Sequence, residues 1–326
     1  MNFLAVHKNK LIKGSVLLFL IAMLSFPSAS FQGASTGLLL WFHNVLPNLL
    51  PFIIISNLMV RLDITKQISK VFYPFLGRLF RVSSEGCYPI AIGFLSGIPM
   101  GAKSTADLVS EHKIHKKEGQ FLLNMCNNAS PMFILGYIAI SQLKLPHIKY
   151  ALFVIIYASA ILSALIFRYF NRFVSSNSSD ETKFNKLEKS QKAKQSTFSF
   201  EILDSSIMNG FEIVTKIGGY IILFSILAQI INEVGPDISF YKAFLMGMFE
   251  ITTGINQICK LGININTKIV LVAVLTSFGG FSGMAQTKSV LGDSRLSMKS
   301  YFIVKLLNAI LSLLFAFLYI SLYGIK

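Results

Sequence analysis

The sequence predicts an all-α polytopic membrane protein made of two inverted repeats, each with a glycine-rich re-entrant helical hairpin. Three observations carry this. First, 53% of the 326 residues are hydrophobic and only 14% are charged, where a soluble domain carries roughly 25% charge. Second, several stretches reach the roughly 20 apolar residues that a membrane helix needs. Third, two glycine-rich stretches inside the apolar chain match without gaps: GFLSGIPMGAKSTADL at 93–108 and SFGGFSGMAQTKSVL at 277–291. Gly97 falls on Gly280, Ala102 on Ala285 and Leu108 on Leu291. Both put glycine, serine and a lysine where a membrane helix is normally apolar. Broken backbone at membrane depth is tolerated only where protein buries it or a wet cavity meets it. Paired broken segments in two halves point to a transporter's substrate site.

The chain divides into an N-terminal membrane helix (1–32), a first repeat (33–170), a basic linker (171–199) and a second repeat (200–326). Lys8, Lys10 and Lys13 precede an apolar run at 16–26 and the small residues PSAS at 27–30. That pattern fits a secretory signal. It also fits a retained first helix, which is the expectation in a chain with many further spans. Pro47 and Pro51 interrupt the apolar segment 37–60 and predict a kinked or broken span. Residues 64–82 place Lys66, Lys70, Arg78 and Arg81 among Val71, Phe72, Phe75, Leu76 and Phe80, the pattern of a helix lying on the membrane surface. The first glycine stretch reads as half-helix 87–96, a turn at 97–101 and a returning half at 102–110, because Pro99 cannot continue a helix. Spans are expected at 122–142 and 148–170. After the linker come a long helix at 201–232, an amphipathic segment at 240–259, the second glycine stretch within 268–292 and a last span at 300–323.

The net charge of +15 gathers between apolar spans. This is the positive-inside pattern, which sets orientation and argues against nucleic acid as a partner. It places the N-terminus, the 111–118 run, the linker and the C-terminus in the cytoplasm. Cys87, Cys126 and Cys259 are scattered in apolar surroundings, so they read as packing residues rather than a disulfide or metal set. GIPMGAKST is not a phosphate-binding loop: Ala102 stands where such a loop has glycine, and three residues rather than four separate Gly97 from Gly101. The Asn177 glycosylation pattern falls in the linker and reads as chance. Neither a catalytic set nor a cofactor motif is discernible, so the chain is expected not to be an enzyme and to carry no cofactor.

FLSGIPMGAKSTADL at 94–108 and NNASPMFILG at 127–136 resemble segments of the YlbJ-type sporulation integral membrane proteins. PNLLPF at 47–52, FEITTGI at 249–255 and the second glycine stretch do so as well, in order over about residues 35–323. Ile98 stands where that family has an aromatic, and Gly283 where it often has a branched residue. The family is similar to the nucleoside-recognition, or gate, domain group. The resemblance implies a role in endospore formation and passage of dipicolinic acid across the outer forespore membrane.

A small dicarboxylate needs positive potential without being trapped. The N-termini of half-helices supply N–H groups and about half a positive charge. The expected substrate-binding set is Ser96, Gly97, Gly101, Lys103, Ser104, Asn127, Asn128 and Ser130 from the first repeat. Gly280, Ser282, Gln286, Thr287 and Lys288 join it from the second. Lys103 has two readings, anion ligand or interfacial residue, and Lys288 is expected to reach the interface. Glu250 can pair with a lysine, couple a proton or face headgroups, and the last is the expectation. His43, beside Trp41, is expected at the interface rather than in a pore. The expected function is a transporter or channel for a small anionic metabolite such as dipicolinate. A nucleoside carrier and a non-transport scaffold for spore assembly are the alternatives. The expected partners are membrane lipid, the anion, and a second copy or sporulation proteins.

Overall fold

The computed structural model describes residues 3–62, 64–174, 198–235 and 239–323. Most of the predicted linker and the Asn177 pattern lie outside these residues, as do the side chains of Lys8, Lys10 and Lys66. Helices follow one another throughout, and among the described residues there is no strand.

The first half begins with α1 (Phe3–Ser25), which turns by 105° into α2 (Pro27–Leu40). A π-helical turn at Trp41–Val45 leads into α3 (Leu46–Arg61). Pro47 and Pro51 therefore do not end the helix: the π turn lies just before Pro47, and Pro51 stands inside α3, leaving the Pro47 carbonyl without its i+4 donor. The surface segment follows as α4 (Thr65–Phe72), a π turn at Tyr73–Gly77 and α5 (Arg78–Phe80). Its Phe75 and Leu79 side chains are exposed, as an interfacial helix requires. Next come α6 (Cys87–Ser96), α7 (Met100–Ser110) and α8 (Lys116–Cys126). A π-helical segment at Phe133–Gln142 precedes α9 (Lys149–Val174).

The second half holds α10 (Phe200–Val234), α11 (Ser239–Phe249), α12 (Ile251–Lys260), α13 (Ile265–Phe278), α14 (Gly280–Val290) and α15 (Met298–Tyr323). Ser199 caps α10 by accepting from the Ile202 N–H at 3.3 Å, and Asn264 caps α13 by accepting from Asn266 at 2.8 Å. Four helices are long and apolar enough to cross a membrane, and the bent α1–α2 pair makes up to five.

Two expectations change here. The span at 122–142 is broken at 127–130, where Pro131 lacks a donor, Asn127 accepts from the Ala102 N–H of α7, Asn128 donates to the Met125 carbonyl and Ser130 accepts from the Phe133 N–H. The second glycine stretch is not a hairpin either. α13 and α14 run on as one 26-residue span, Ile265–Val290, interrupted at Gly279 and Gly280. The chain does fold back sharply at α6–α7, where Gly93 packs on Gly101. It folds back again at α11–α12, where a Cβ on Gly254 would collide with the Gly247 backbone. The second hairpin is thus the segment that sequence periodicity gives as merely amphipathic.

Long helices frame these elements. Gly33 and Gly37 let α2 approach the α10 backbone at Ile226 and Ile222, a small-residue contact of the kind membrane helices use. One turn further on, Trp41 lies against Gly218 and donates to the Val214 carbonyl at 2.8 Å. Asn57 donates to Asn209 Oδ1 at 3.0 Å near the far end. On the other side α15 packs against α13 and α9. α15 is polar inside and apolar outside: Tyr301, Lys305, Asn308 and Ser312 are buried, while Leu306, Ile310, Leu314 and Phe317 are exposed. That inversion is stable only when the surroundings are lipid.

The α6–α7 hairpin also packs on the carbonyl of Cys126, which a Cβ on Gly101 would strike. Gly101→Ala is expected to destabilise the protein by about 1–3 kcal/mol, the usual range for overpacking. Gly219→Ala, in open space on α10, is expected to leave stability unchanged or raised. Thermal unfolding in detergent compares the two.

Candidate functional site

Four helix breaks meet in the interior. The first is the 97–99 turn, where α6 ends at Gly97 with φ +80°, a conformation open to glycine, and Pro99 follows. The second is the 127–130 break. The Ile98 N–H donates to the Asn128 carbonyl at 2.8 Å, and Gly97 packs on the Ser130 backbone. The third is the Gly279–Gly280 interruption, where a Cβ on Gly279 would lie 3.5 Å from Ile98 Cδ1. The fourth is the apex of α11–α12 at Glu250. A Cβ on Gly280 would lie 3.5 Å from the Gly247 and Met248 carbonyl oxygens and the Ile251 nitrogen. Each break therefore touches another.

Asn127 ties them together. Its Oδ1 accepts from the Ala102 N–H at 3.3 Å, in the first turn of α7. Its Nδ2 donates to Thr287 Oγ1 at 2.7 Å and to the Tyr301 hydroxyl oxygen at 2.8 Å. Thr287 Oγ1 donates back to the Gly283 carbonyl at 2.7 Å. One buried amide thus links α7, α14 and α15. The α7 N-terminus, expected to offer free N–H groups to an anion, has its Ala102 donor taken by Asn127.

Lys305 lies beside this amide. It is 1% exposed, and its Nζ donates to Asn128 Oδ1 at 2.9 Å and lies 5.5 Å from the Tyr301 ring centre. It has no ion-pair partner among the described residues. Neither Lys305 nor Tyr301 is in the expected site set, yet the signal is in the sequence. A lysine interrupts the last apolar span, and positions 301, 305, 308 and 312 fall on one helical face.

The remaining expected residues separate. Lys103 pairs with Asp107 at 2.8 Å, an i,i+4 pair, and lines a cleft with Ser56, Asn57, Tyr88, Ser104 and Asp107. Ser104 Oγ donates to the Met100 carbonyl at 2.8 Å. Lys288 is exposed, as an interfacial residue would be. Ser282 Oγ accepts from Gln286 at 3.1 Å within α14, and Ser130 Oγ accepts from the Phe133 N–H at 3.2 Å. Gly97, Gly101 and Gly280 act through close backbone approach. Ser96 is buried with its hydroxyl unpartnered. His43 is exposed, outside any interior path.

Glu250 corrects its expectation. It does not face headgroups: it is 2% exposed, and its Oε2 accepts from the Thr253 N–H at 2.7 Å, capping α12. The carboxylate is placed there because the hairpin apex must satisfy the first N–H groups of a helix beginning in the interior. It has no lysine partner among the described residues.

The chain is 29% identical over 337 aligned positions to the sporulation integral membrane protein YlbJ of Bacillus subtilis (strain 168), covering 95% of this chain and 82% of that protein. The chain is similar to YlbJ over nearly its whole length. No family model and no solved structure matches it.

The hydrogen-bond pattern sets the relative weight of these residues. Asn127→Ala is expected to lower stability by about 2 kcal/mol, since it orphans the Ala102 N–H and removes one hydrogen bond each from Thr287 and Tyr301. Lys103→Gln loses only a part-exposed i,i+4 pair and is expected to cost at most about 0.5 kcal/mol. Denaturation midpoints of the two variants check this order.

Proposed function

We propose that the chain is a carrier that moves a small anionic metabolite across a bacterial membrane. Its substrate on this reading is dipicolinate, exported during endospore formation across the outer forespore membrane. The observation behind it is the meeting of four helix breaks around buried polar side chains. Interrupted helices at membrane depth are costly and are found where a substrate or ion is held.

The order of elements supports an inverted repeat in a different register from the glycine-to-glycine match. Hairpin α6–α7 corresponds to hairpin α11–α12, with Ile98 on Ile251 and Gly101 on Gly254. The broken segment 116–142 corresponds to 265–290, with Ser130 on Ser282 and Met132 on Met284. Helix α9 corresponds to α15, and the run AILS at 160–163 recurs at 309–312. The long helices α2–α3 and α10 precede each set. On this reading each half crosses the membrane three times and carries one hairpin that does not cross. An odd number of crossings inverts the second half, and the two hairpins enter from opposite sides.

Topology gives the first test. With the basic linker in the cytoplasm, α10 crosses outward, α13–α14 inward and α15 outward. The C-terminus then lies opposite the linker, where the glycine-to-glycine register had it in the cytoplasm. A reporter fused after residue 326 is expected to be accessible from the non-cytoplasmic side and one inserted at 185 from the cytoplasm. Finding both on one side rules this register out.

Transport is tested by flux into proteoliposomes holding the full chain, with dipicolinate and uridine as solutes. Dipicolinate flux above empty vesicles is the expected result. Uridine flux alone would move the chain to the nucleoside carriers, and flux of neither would favour a scaffold in spore assembly. Glu250 is the proposed coupling residue. Glu250→Gln keeps the acceptor that caps α12, so it is expected to retain fold and downhill flux while removing the response of flux to an imposed pH gradient.

A further inference from the structure

We propose that Lys305 and the unpartnered polar groups around it form a subsite for one carboxylate group of the transported solute. This rests on the carrier reading above and deepens it. Lys305 is in the middle of the protein interior, 1% exposed, and uses one hydrogen bond, to Asn128. An ammonium group has three protons to donate. Burying it with one neutral acceptor and no acid leaves its charge uncompensated.

The neighbouring polar groups are under-used in the same way. Asn308, one turn along α15, donates to the Ser277 carbonyl at 3.0 Å, which brings the end of α13 against the Lys305 face. The hydroxyls of Ser277 and Ser312 and the Oδ1 of Asn308 are buried with no partner. Ser96 is also buried with its hydroxyl unpartnered, two residues before Ile98, which bonds to the Asn128 backbone. Buried polar atoms are nearly always satisfied. Here four are not: Ser277, Asn308 and Ser312 on α13 and α15, and Ser96 near the Asn128 break that Lys305 bonds. A carboxylate supplies what this set lacks: a negative charge for Lys305 and an acceptor oxygen for an unpartnered hydroxyl beside it, such as that of Ser277. Asn308 Oδ1 fits a water carried with the anion.

Lys103, the stronger candidate by sequence, is answered by Asp107. Lys305 is therefore the residue that makes the interior select for negative charge.

The test is equilibrium binding to the full chain in detergent, with benzoate, phthalate and pyridine-2,6-dicarboxylate as probes and pyridine-2,6-dicarboxamide as the uncharged control. Wild type is expected to bind the carboxylates in preference to the diamide. Lys305→Gln, which removes the charge and keeps an N–H donor on the side chain, is expected to lose about tenfold or more in carboxylate affinity and to bind the diamide no more weakly than wild type. One hydrogen bond to a charged group is worth that much. Lys305→Met checks whether the bond to Asn128 alone matters. If Lys305→Gln binds carboxylates like wild type while Lys305→Met does not, the lysine only holds the Asn128 break and the proposal is overturned. Equal binding of carboxylate and diamide by wild type, or no carboxylate binding, overturns it as well. Carboxylate binding lost in Lys305→Gln without any flux by wild type would keep the subsite and remove the carrier. Flux of a neutral solute unaffected by Lys305→Gln would do the reverse.

Discussion

Every interruption of a helix in the membrane interior must have its backbone groups satisfied by protein, and this requirement organises the molecule. A helix end frees several N–H or carbonyl groups, and lipid cannot take them. Here the breaks satisfy one another. Ile98 in the first hairpin turn donates to the Asn128 carbonyl in the broken span, and Asn127 accepts from the first turn of α7. Glu250 caps α12 from the apex of the other hairpin. The 97–99 turn and the 127–130 break therefore depend on each other's hydrogen bonds, while the Gly279–Gly280 break and the Glu250 apex join them by close packing. The framing helices α2–α3, α10, α9 and α15 supply the walls that keep lipid away from them.

The same logic explains the inverted helices. In water a helix hides its apolar stripe; in lipid there is no reward for that, and polar groups gain by turning toward each other. α15 shows the result, with Tyr301, Lys305, Asn308 and Ser312 inward and a leucine- and phenylalanine-rich face outward. α9 follows it, burying Ser159 and Ser163 and exposing Val154 and Tyr169. A lysine at the centre of a membrane helix costs about 3 kcal/mol to insert. Its retention in a span that packs well without it argues for a use beyond packing.

The sequence made the fold class legible because composition alone decides it, and it located α10, α9, α15 and the first hairpin because proline and glycine punctuate them. It misread the second half for a physical reason. Glycine marks both a tight turn and a close approach, and SFGGFSG has the same composition as a hairpin tip. In the fold Gly279 and Gly280 only interrupt a continuing span. The true turn at Glu250 carries no proline or glycine, because a carboxylate caps the returning helix instead. At the site, Asn127, Asn128 and Thr287 were readable as polar residues in apolar runs. Lys305 was equally visible, but its weight comes from burial without an acid partner, which only the packing of α13 and α15 reveals. Lys103 misled for the complementary reason: its answering charge, Asp107, is one helical turn away.

The corrected register changes what symmetry can mean for mechanism. If hairpin matched glycine stretch, both polar tips would be lysine-bearing and nearly equivalent. With α6–α7 on α11–α12, the two tips differ in charge: Gly97–Pro99 is neutral, while its counterpart carries Glu250. The two long helices differ as well, since Lys305 in α15 falls on Ile156 in α9, a fully apolar position. On the proposed register, Glu250 and Lys305 thus stand in the second half at positions whose first-half counterparts, Gly97 and Ile156, are uncharged. On the proposed carrier reading, an inverted pair of halves supplies the alternating geometry, and Lys305 gives that geometry its preference for a negatively charged solute. Symmetry and selectivity then reside in different residues, and substitutions at the breaks and at the charges act on separable properties.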